Sequence, residues 1–393
     1  MRVLIVLSYF YCPSQPIGGA ERQALRLAQE LQNKQVPVTV VTGLWDWGQP
    51  HRETVQGIPV RRHFTAWGMF NIKGLRKFSQ YFYLLSLFFY LIRHRNEYDI
   101  IHCHSAKFEA SISVMAGKLL HKPTLVRSMA SGAWGDLAAV RRDRSLWGTG
   151  WMLSKIQEAD AIVALNQQVV DEMLEIGVAK DKILHIPNGV DLGVNGHHRD
   201  SALDDSIVIA FVGRLHPQKR VAMLLQALKL VLQQRPDLPW QLKLAGTGPL
   251  DRKLKALADE LAISRQVEFL GYVADVGALL DRSDLFVLPS ASEGISNALL
   301  EAMARGLPCV VTDIPGNNEV IQNGENGILV KVDDAEALAK AILGLAADDE
   351  LRERLGRQAR QTVETKYLLA GVTAKYMQLY EKLLLNGRGQ VKG

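Results

Sequence analysis

Short apolar runs rich in Val and Ile alternate with helical segments along almost the whole chain, and the series runs twice. The first series places strands at Val3–Leu7, Val38–Thr42, Ile58–Arg62, Asp99–Cys103, Thr124–Arg127, Ala161–Leu165 and Ile183–Ile186, with helices such as Ala20–Gln32 and Ala106–Leu120 between them. After Asn195 the polar stretch GHHRDSALDD has the composition of a linker. The second series places strands at Ile207–Val212, Gln241–Ala245, Val267–Leu270, Leu285–Leu288, Cys309–Thr312 and Gly327–Val330. Helices are expected between them at Val221–Gln234, Leu250–Leu261, Val276–Leu280, Asn297–Arg305, Asn317–Gln322 and Ala335–Ala346. Such alternation builds parallel sheets from βαβ units, one sheet per series. The expected class is therefore α/β, with domains over 1–195 and 196–366. A ligand is expected at the carboxyl ends of the strands, in the cleft between the domains.

Composition agrees with this organisation. A chain of 393 residues is too long for one ordinary core. Its 48% apolar and 22% charged residues are those of a soluble globular protein. The net charge of +5 is a mild excess, compatible with a polyanionic ligand, an acidic membrane surface or no charged partner in particular. Nucleic acid is not expected as a partner, because no long basic run is interleaved with aromatics. The three cysteines, Cys12, Cys103 and Cys309, are far apart, which argues against a disulfide framework and for a reducing, cytoplasmic setting. The N-terminal MRVLIVLSYF is too short for a signal-peptide core and reads as a first strand. Lys73–Arg95, KGLRKFSQYFYLLSLFFYLIRHR, carries an apolar core too short to span a bilayer. It is expected to be either a core helix of the first domain or a helix that meets a membrane interface through its aromatics.

The most informative stretch is SASEGISNALLEAMARGLP, from Ser290 to Pro308. Ser296 and Asn297 are good N-cap residues, strong helix formers follow, and Gly306 with Pro308 stops the helix. Glu293 then precedes a helix N-terminus and Glu301 lies about one turn inside it. An anion is favoured at the N-terminus itself, by unpaired N–H groups and the dipole. In FVGRLHPQKR, Arg214 follows a strand and Lys219 opens the next helix, a fork and a point charge suited to a diphosphate. Gly18-Gly19 before a helix and the turn Gly246-Thr247-Gly248-Pro249 allow close backbone approach to a ligand. Other chemistries lack their residues. No G-x-G-x-x-G marks a dinucleotide site, no G-x-S-x-G a nucleophile, and no Asp-x-Asp a metal–diphosphate site. His102 and His104, near a strand end, are read as facing opposite sides of the sheet, a poor geometry for a shared metal.

On these residues the chain resembles the retaining, two-Rossmann-domain (GT-B) glycosyltransferases of group 1, or family 4. The resemblance rests on GRLHPQK (213–219), AGTGP (245–249), FLGYV (269–273), SEGISNALLEAMARGLPCVVT (292–312), NGVD (188–191) and IGGAE (17–21). It implies that Glu293 binds the donor sugar, Glu301 the ribose, and the backbone of Gly294, Ile295, Ser296 and Asn297 the diphosphate. Arg214 and Lys219 match the family's diphosphate cations. Gly18 and Gly19, Gly246 and Gly248, and Tyr272 and Val273 fall on its donor-side loops. It also implies transfer with retention, a nucleotide sugar (a UDP-sugar from family frequency) as substrate, and no metal or other cofactor. A C-terminal helix over Tyr367–Leu385, within a third segment 367–393, is expected to pack on the first domain. The acceptor would be a glycan or lipid-linked saccharide. One departure stands out, since VRSMASGAWGD after the Thr124–Arg127 strand lacks the family's histidine. Ser131, Gly132, Asp136 and His104 are the alternatives for its place. A non-hydrolysing epimerase of the same fold and a non-catalytic nucleotide-sugar binder are the rival readings.

Overall fold

VLIV, IIHC, AIVA, LFVL and CVVT are buried at every position. Strands apolar on both faces need helices on both sides, and this is what they receive. The structure, a computed structural model, describes residues 1–11, 18–46, 48–65, 76–142, 148–193 and 206–390. Cys12, Ile17, Lys73 and the linker-like stretch 196–205 lie outside them. Two compact units are formed, Met1–Gly189 with Leu369–Gly393, and Val190–Leu368.

The strands of the first unit are β1 (Val3–Val6), β2 (Val38–Gly43), β3 (Arg52–Val55), β4 (Ile58–His63), β5 (Ile100–Cys103), β6 (Thr124–Arg127), β7 (Ala161–Ala164) and β8 (Ile183–His185). They lie in the order β3-β4-β2-β1-β5-β6-β7-β8. All neighbours are parallel except β3, which returns antiparallel to β4 across a Gln56-Gly57 turn with positive φ at both residues. Its helices are α1 (Gly19–Asn33), α2 (Arg76–Arg93), α3 (Phe108–Leu120), α4 (Asp136–Arg142), α5 (Thr149–Ile156) and α6 (Gln167–Glu175). Tyr83, Leu84, Leu87 and Leu91 of α2 are buried with Leu4, Val6 and Ile101 on one face of the sheet. The opposite side of α2 exposes Phe78, Phe82, Leu85 and Phe89. The helix is thus a core element with a second apolar face. Among the described residues no helix is long and apolar enough to cross a membrane.

The second unit holds β9 (Ile207–Val212), β10 (Trp240–Ala245), β11 (Val267–Gly271), β12 (Leu285–Leu288), β13 (Cys309–Thr312) and β14 (Ile328–Val330). Their order is β11-β10-β9-β12-β13-β14, with parallel pairing throughout. Helices α7 (Val221–Gln234), α8 (Asp251–Glu260), α9 (Val276–Asp281), α10 (Asn297–Ala304), α11 (Pro315–Asn318), α12 (Ala335–Ala347) and α13 (Asp349–Thr362) connect or follow them. The last helix, α14 (Leu369–Gln390), belongs to the first unit. There Val372, Tyr376, Leu379, Tyr380 and Leu383 join Ala24, Leu27, Ala28 and Leu31 of α1 in one buried cluster.

Candidate active site

In the second unit, the chain leaves the adjacent strands β9 and β12 toward opposite edges of the sheet. The loops that follow them therefore diverge, and a crevice opens at the carboxyl ends of the strands. Backbone and side-chain bonds fix the two lips. Ala291 donates its N–H to Gln218 O at 2.8 Å, and Gln218 Nε2 donates to Ser292 O at 2.8 Å. Lys219 Nζ donates to Glu293 Oε1, which also accepts from Ser290 Oγ at 2.6 Å. The Glu293 side chain is 9% exposed and that of Lys219 16%, so the pair is largely withdrawn from water. Arg214 is exposed and forms no side-chain hydrogen bond or ion pair among the described residues. His216 accepts from Gln218 N–H at 3.3 Å; burial, then the charges of Arg214 and Lys219, push its pKa down and keep the ring neutral.

The loops after β9, β10 and β11 are stitched into one layer. Leu215 N–H donates to Thr247 O at 3.0 Å, and Gly246 N–H to Gly271 O at 2.7 Å. A Cβ on Gly246, whose φ is +143°, would lie 1.8 Å from Gly213 O, so only glycine fits there. Gly248 packs as closely on Leu215, and Tyr272, 59% exposed, and Val273 follow β11 directly. On the other lip, Ser296 caps α10 by accepting from Leu299 N–H at 3.4 Å. Gly294 and Ile295 are buried, Asn297 is half-buried, and Glu301 on α10 is 6% exposed. Gly316 of α11 lies so near this turn that a Cβ would meet Gly294 O at 2.4 Å and Glu293 O at 2.5 Å. Thr312 Oγ1 donates to Ser290 O, and Asn317 Nδ2 to Thr312 O at 2.9 Å, which props the Glu293 loop from behind. The roles of Gln218, Ser290, Thr312, Gly316 and Asn317 were not foreseen. Gln218, Ser290 and Thr312 lay within the quoted motifs and Asn317 opened an expected helix, whereas nothing in the sequence marked Gly316.

The residues proposed for the acceptor side gather at the carboxyl ends of β5, β6 and β7 in the first unit. Asp136, buried, accepts from the N–H groups of Ala106 (3.1 Å) and Met129 (2.8 Å), with Lys107 Nζ 3.8 Å away. Ser131, fully buried, accepts from Asn166 Nδ2 at 3.3 Å. Gly132 N–H donates to Glu172 at 2.6 Å, and burial raises that carboxyl's pKa. His104 is buried, with Nε2 2.9 Å from Arg127 Nη1, and burial followed by the Arg127 charge drives its pKa well down. The opposite-face reading of His102 and His104 is corrected here. Residues two apart in a strand share a face, and their rings are 5.2 Å apart. The His102 ring is occupied otherwise, meeting Tyr380 Oη at 2.7 Å. A buried carboxylate missed from sequence, Glu109, accepts from Ser8 Oγ at 2.5 Å and from Ser105 Oγ. At the start of α1, the Glu21 carboxylate reaches back to the Gly18 N–H, and Gly19 opens the helix. Among the described residues no three His, Cys, Asp or Glu side chains lie together as a metal site.

Each unit is built on a parallel sheet, the first with one antiparallel edge strand, and the crevice of the second carries a Glu-x7-Glu helix start beside an Arg–Lys loop. Residues 196–362 match the family described as glycosyl transferases group 1, and residues 17–194 match glycosyltransferase family 4. The chain belongs to this glycosyltransferase family. It is 28% identical over 392 residues to the UDP-Gal:alpha-D-GlcNAc-diphosphoundecaprenol alpha-1,3-galactosyltransferase of Escherichia coli, covering 94% of this chain and 95% of that protein. It is 27% identical over 300 residues to the N-acetyl-alpha-D-glucosaminyl L-malate synthase of Bacillus anthracis, covering 75% of this chain and 77% of the other. Among solved structures, Anabaena HepE in complex with UDP-glucose superposes with a TM-score of 0.77 at 19% identity, over 97% of this chain and 100% of that one.

Proposed function

We propose that the chain is a retaining, metal-independent glycosyltransferase that moves a hexosyl group from a UDP-sugar to a hydroxyl of a lipid-linked or growing cell-surface saccharide, at the cytoplasmic face of the membrane. The observation that carries this reading is the Lys219–Glu293 latch at the switch point, with Arg214 exposed beside it and Glu301 one turn into α10. Carboxylates accept from sugar and ribose hydroxyls, while cations and N–H groups receive a diphosphate. The E. coli relative, whose name gives a UDP-sugar donor, a lipid diphosphate acceptor and an alpha linkage, supports the same choice.

In the proposed step, the acceptor oxygen forms a bond to the sugar's anomeric carbon as the bond to the diphosphate oxygen breaks. The acceptor's proton passes to the leaving diphosphate, so no separate base is needed. Arg214 and Lys219 hold the charge that develops on the leaving group, and Glu293 holds the sugar. In the first unit, Asp136 with its two N–H bonds keeps the loops after β5 and β6 in place for the acceptor.

The test is product formation from UDP-glucose, UDP-galactose and UDP-N-acetylglucosamine with lipid-diphosphate saccharides, with and without chelator. NMR of the product's anomeric proton reports the stereochemistry. Product of the same anomeric configuration as the donor, formed at an unchanged rate in chelator, is expected. An inverted product or a requirement for added metal overturns the mechanism, and a free 2-epimer without acceptor favours the epimerase reading.

A further inference from the structure

The pocket between the β3–β4 hairpin and the second half of α2 has a chemistry that sugar transfer does not use. This cavity of about 440 Å³ is lined by Arg52, Arg61, Arg62 and Arg93, and no carboxylate forms part of its wall. Glu53 pairs with Arg62 at 2.5 Å and Glu97 with Arg61 at 3.2 Å. Arg52 and Arg93 are exposed and form no side-chain hydrogen bond or ion pair among the described residues. Two cationic charges are thus left over, against about half a negative charge from the carboxyl end of α2.

His63 lines the same cavity and is 4% exposed. Its Nδ1 meets Ser86 Oγ at 3.1 Å, while its Nε2 is buried and has no partner. Burial lowers its pKa from 6.5 to about 4, so the ring is neutral at physiological pH. Arg62 Nε, an N–H donor, is a second buried nitrogen without a partner. A pocket with four arginines, two of them unpaired among the described residues, and no carboxylate in its wall suits an anion.

Along α2, Phe78 (53% exposed), Phe82 (44%), Leu85 (53%) and Phe89 (60%) form one stripe at helical spacing. Phe89 is both the end of the stripe and part of the pocket wall, together with Phe64, 45% exposed. An apolar stripe that runs into a cationic pocket matches a bilayer surface, where acyl chains and phosphates lie side by side. We propose that this face of the first unit docks on an anionic phospholipid bilayer, with the α2 stripe in the acyl boundary and one headgroup phosphodiester in the arginine pocket. The site goes beyond the transfer reaction, and it rests on the reading of a membrane-borne acceptor only in the choice of lipid over free phosphate.

The experiment is flotation of the full chain with phosphatidylcholine vesicles, with and without phosphatidylglycerol. Binding is expected only with phosphatidylglycerol, and it should weaken as salt rises. Arg52→Glu with Arg93→Glu should weaken it roughly 30-fold or more, at about a factor of five for each cation at the surface. Phe82→Ser with Phe89→Ser should also release the protein. Both pairs are exposed, and a thermal shift with UDP that is unchanged in each variant checks the fold and separates this site from the donor site. Absence of phosphatidylglycerol-dependent flotation overturns the proposal. So does flotation that the arginine reversals leave intact, or stabilisation by inorganic phosphate without vesicle binding, which would make the pocket a site for free phosphate.

Discussion

The Lys219 ammonium rests on the Glu293 carboxylate, joining loops that lie 74 residues apart in the sequence. Ser290 Oγ holds the same carboxylate oxygen, so the position of Glu293 is set from both lips of the crevice before any donor arrives. Removing Lys219 therefore has two separable effects. It takes away a cation for the leaving diphosphate, and it strands a carboxylate that is only 9% exposed. Lys219→Met is expected to cost roughly 2–4 kcal/mol of unfolding free energy, as breaking a buried pair does. Urea unfolding of the variant measures it; a loss under about 0.5 kcal/mol would mean that the pair is not a structural latch.

Arg214 makes the opposite prediction. Its side chain is exposed and bonded to no other described side chain, so Arg214→Ala should leave stability within about 0.5 kcal/mol. If its charge is used on the leaving diphosphate, kcat should fall by about 10²–10³, the usual loss for one donor to a developing anion. Steady-state kinetics on a variant of unchanged melting temperature decides it. Wild-type kcat would remove Arg214 from the chemistry.

Glu301 is assigned to binding rather than to the reacting centre. Glu301→Gln keeps the size of the side chain inside α10 but removes the charged acceptor. Affinity for UDP should drop by about 1.5–3 kcal/mol for a lost charged hydrogen bond, roughly tenfold to a hundredfold. Isothermal titration with UDP and with UDP-sugar should show the same loss for both, since the ribose is common to them. A loss confined to the sugar nucleotide would exchange the roles of Glu293 and Glu301.

Much of this site was legible because its parts are local. The Ser296 cap, the eight-residue α10 and the stop at Gly306 are written in consecutive residues, and each apolar run of the second half became a strand at nearly the expected bounds. What escaped the sequence depends on contacts between distant segments or on burial. β3 was missed because an edge strand half in water reads as RETV, charged and alternating, with no apolar run. α13 was missed because its face toward the core is narrow, with only Leu355, Gly356 and Ala359 buried among charged residues. The helix expected at Asn317–Gln322 starts earlier and is shorter, Pro315–Asn318, where Gly316 must pass the Glu293 loop. The Lys219–Glu293 pair could not be read at all, since nothing local says which carboxylate a loop lysine will meet.

Gly246 and Gly316 test whether the crevice is held by backbone packing. Each would place a Cβ within 2.5 Å of a carbonyl oxygen of a neighbouring site loop, a contact that no side chain can yield to. Gly246→Ala and Gly316→Ala are expected to destabilise by more than about 2 kcal/mol. Gly344 has open space around it, so Gly344→Ala in α12 should instead be neutral or stabilising by up to about 1 kcal/mol. Thermal unfolding of the three variants side by side separates a steric demand from a general cost of losing glycine.

Acid sensitivity should come from the first unit. Burial lowers the pKa of His63 from 6.5 to about 4, burial and then the Arg127 charge lower that of His102 to about 3, and His104 shifts the same way. A depressed folded-state pKa means that, between the two values, the unfolded chain takes up a proton and the folded chain does not. The stability is therefore fully present above pH 6.5 and is lost as the pH falls, at about 1.4 kcal/mol per pH unit for each such histidine. The melting temperature should be nearly flat from pH 8 to 7 and fall steeply from about pH 6 to pH 4. In His63→Gln, which cannot titrate, the acid slope should shrink by about one histidine's share. The second unit has no buried histidine among its described residues; its half-buried His216, whose pKa is also lowered, adds to the same acid limb. An acid limb as steep in His63→Gln as in the wild type would show that the proton is taken up elsewhere.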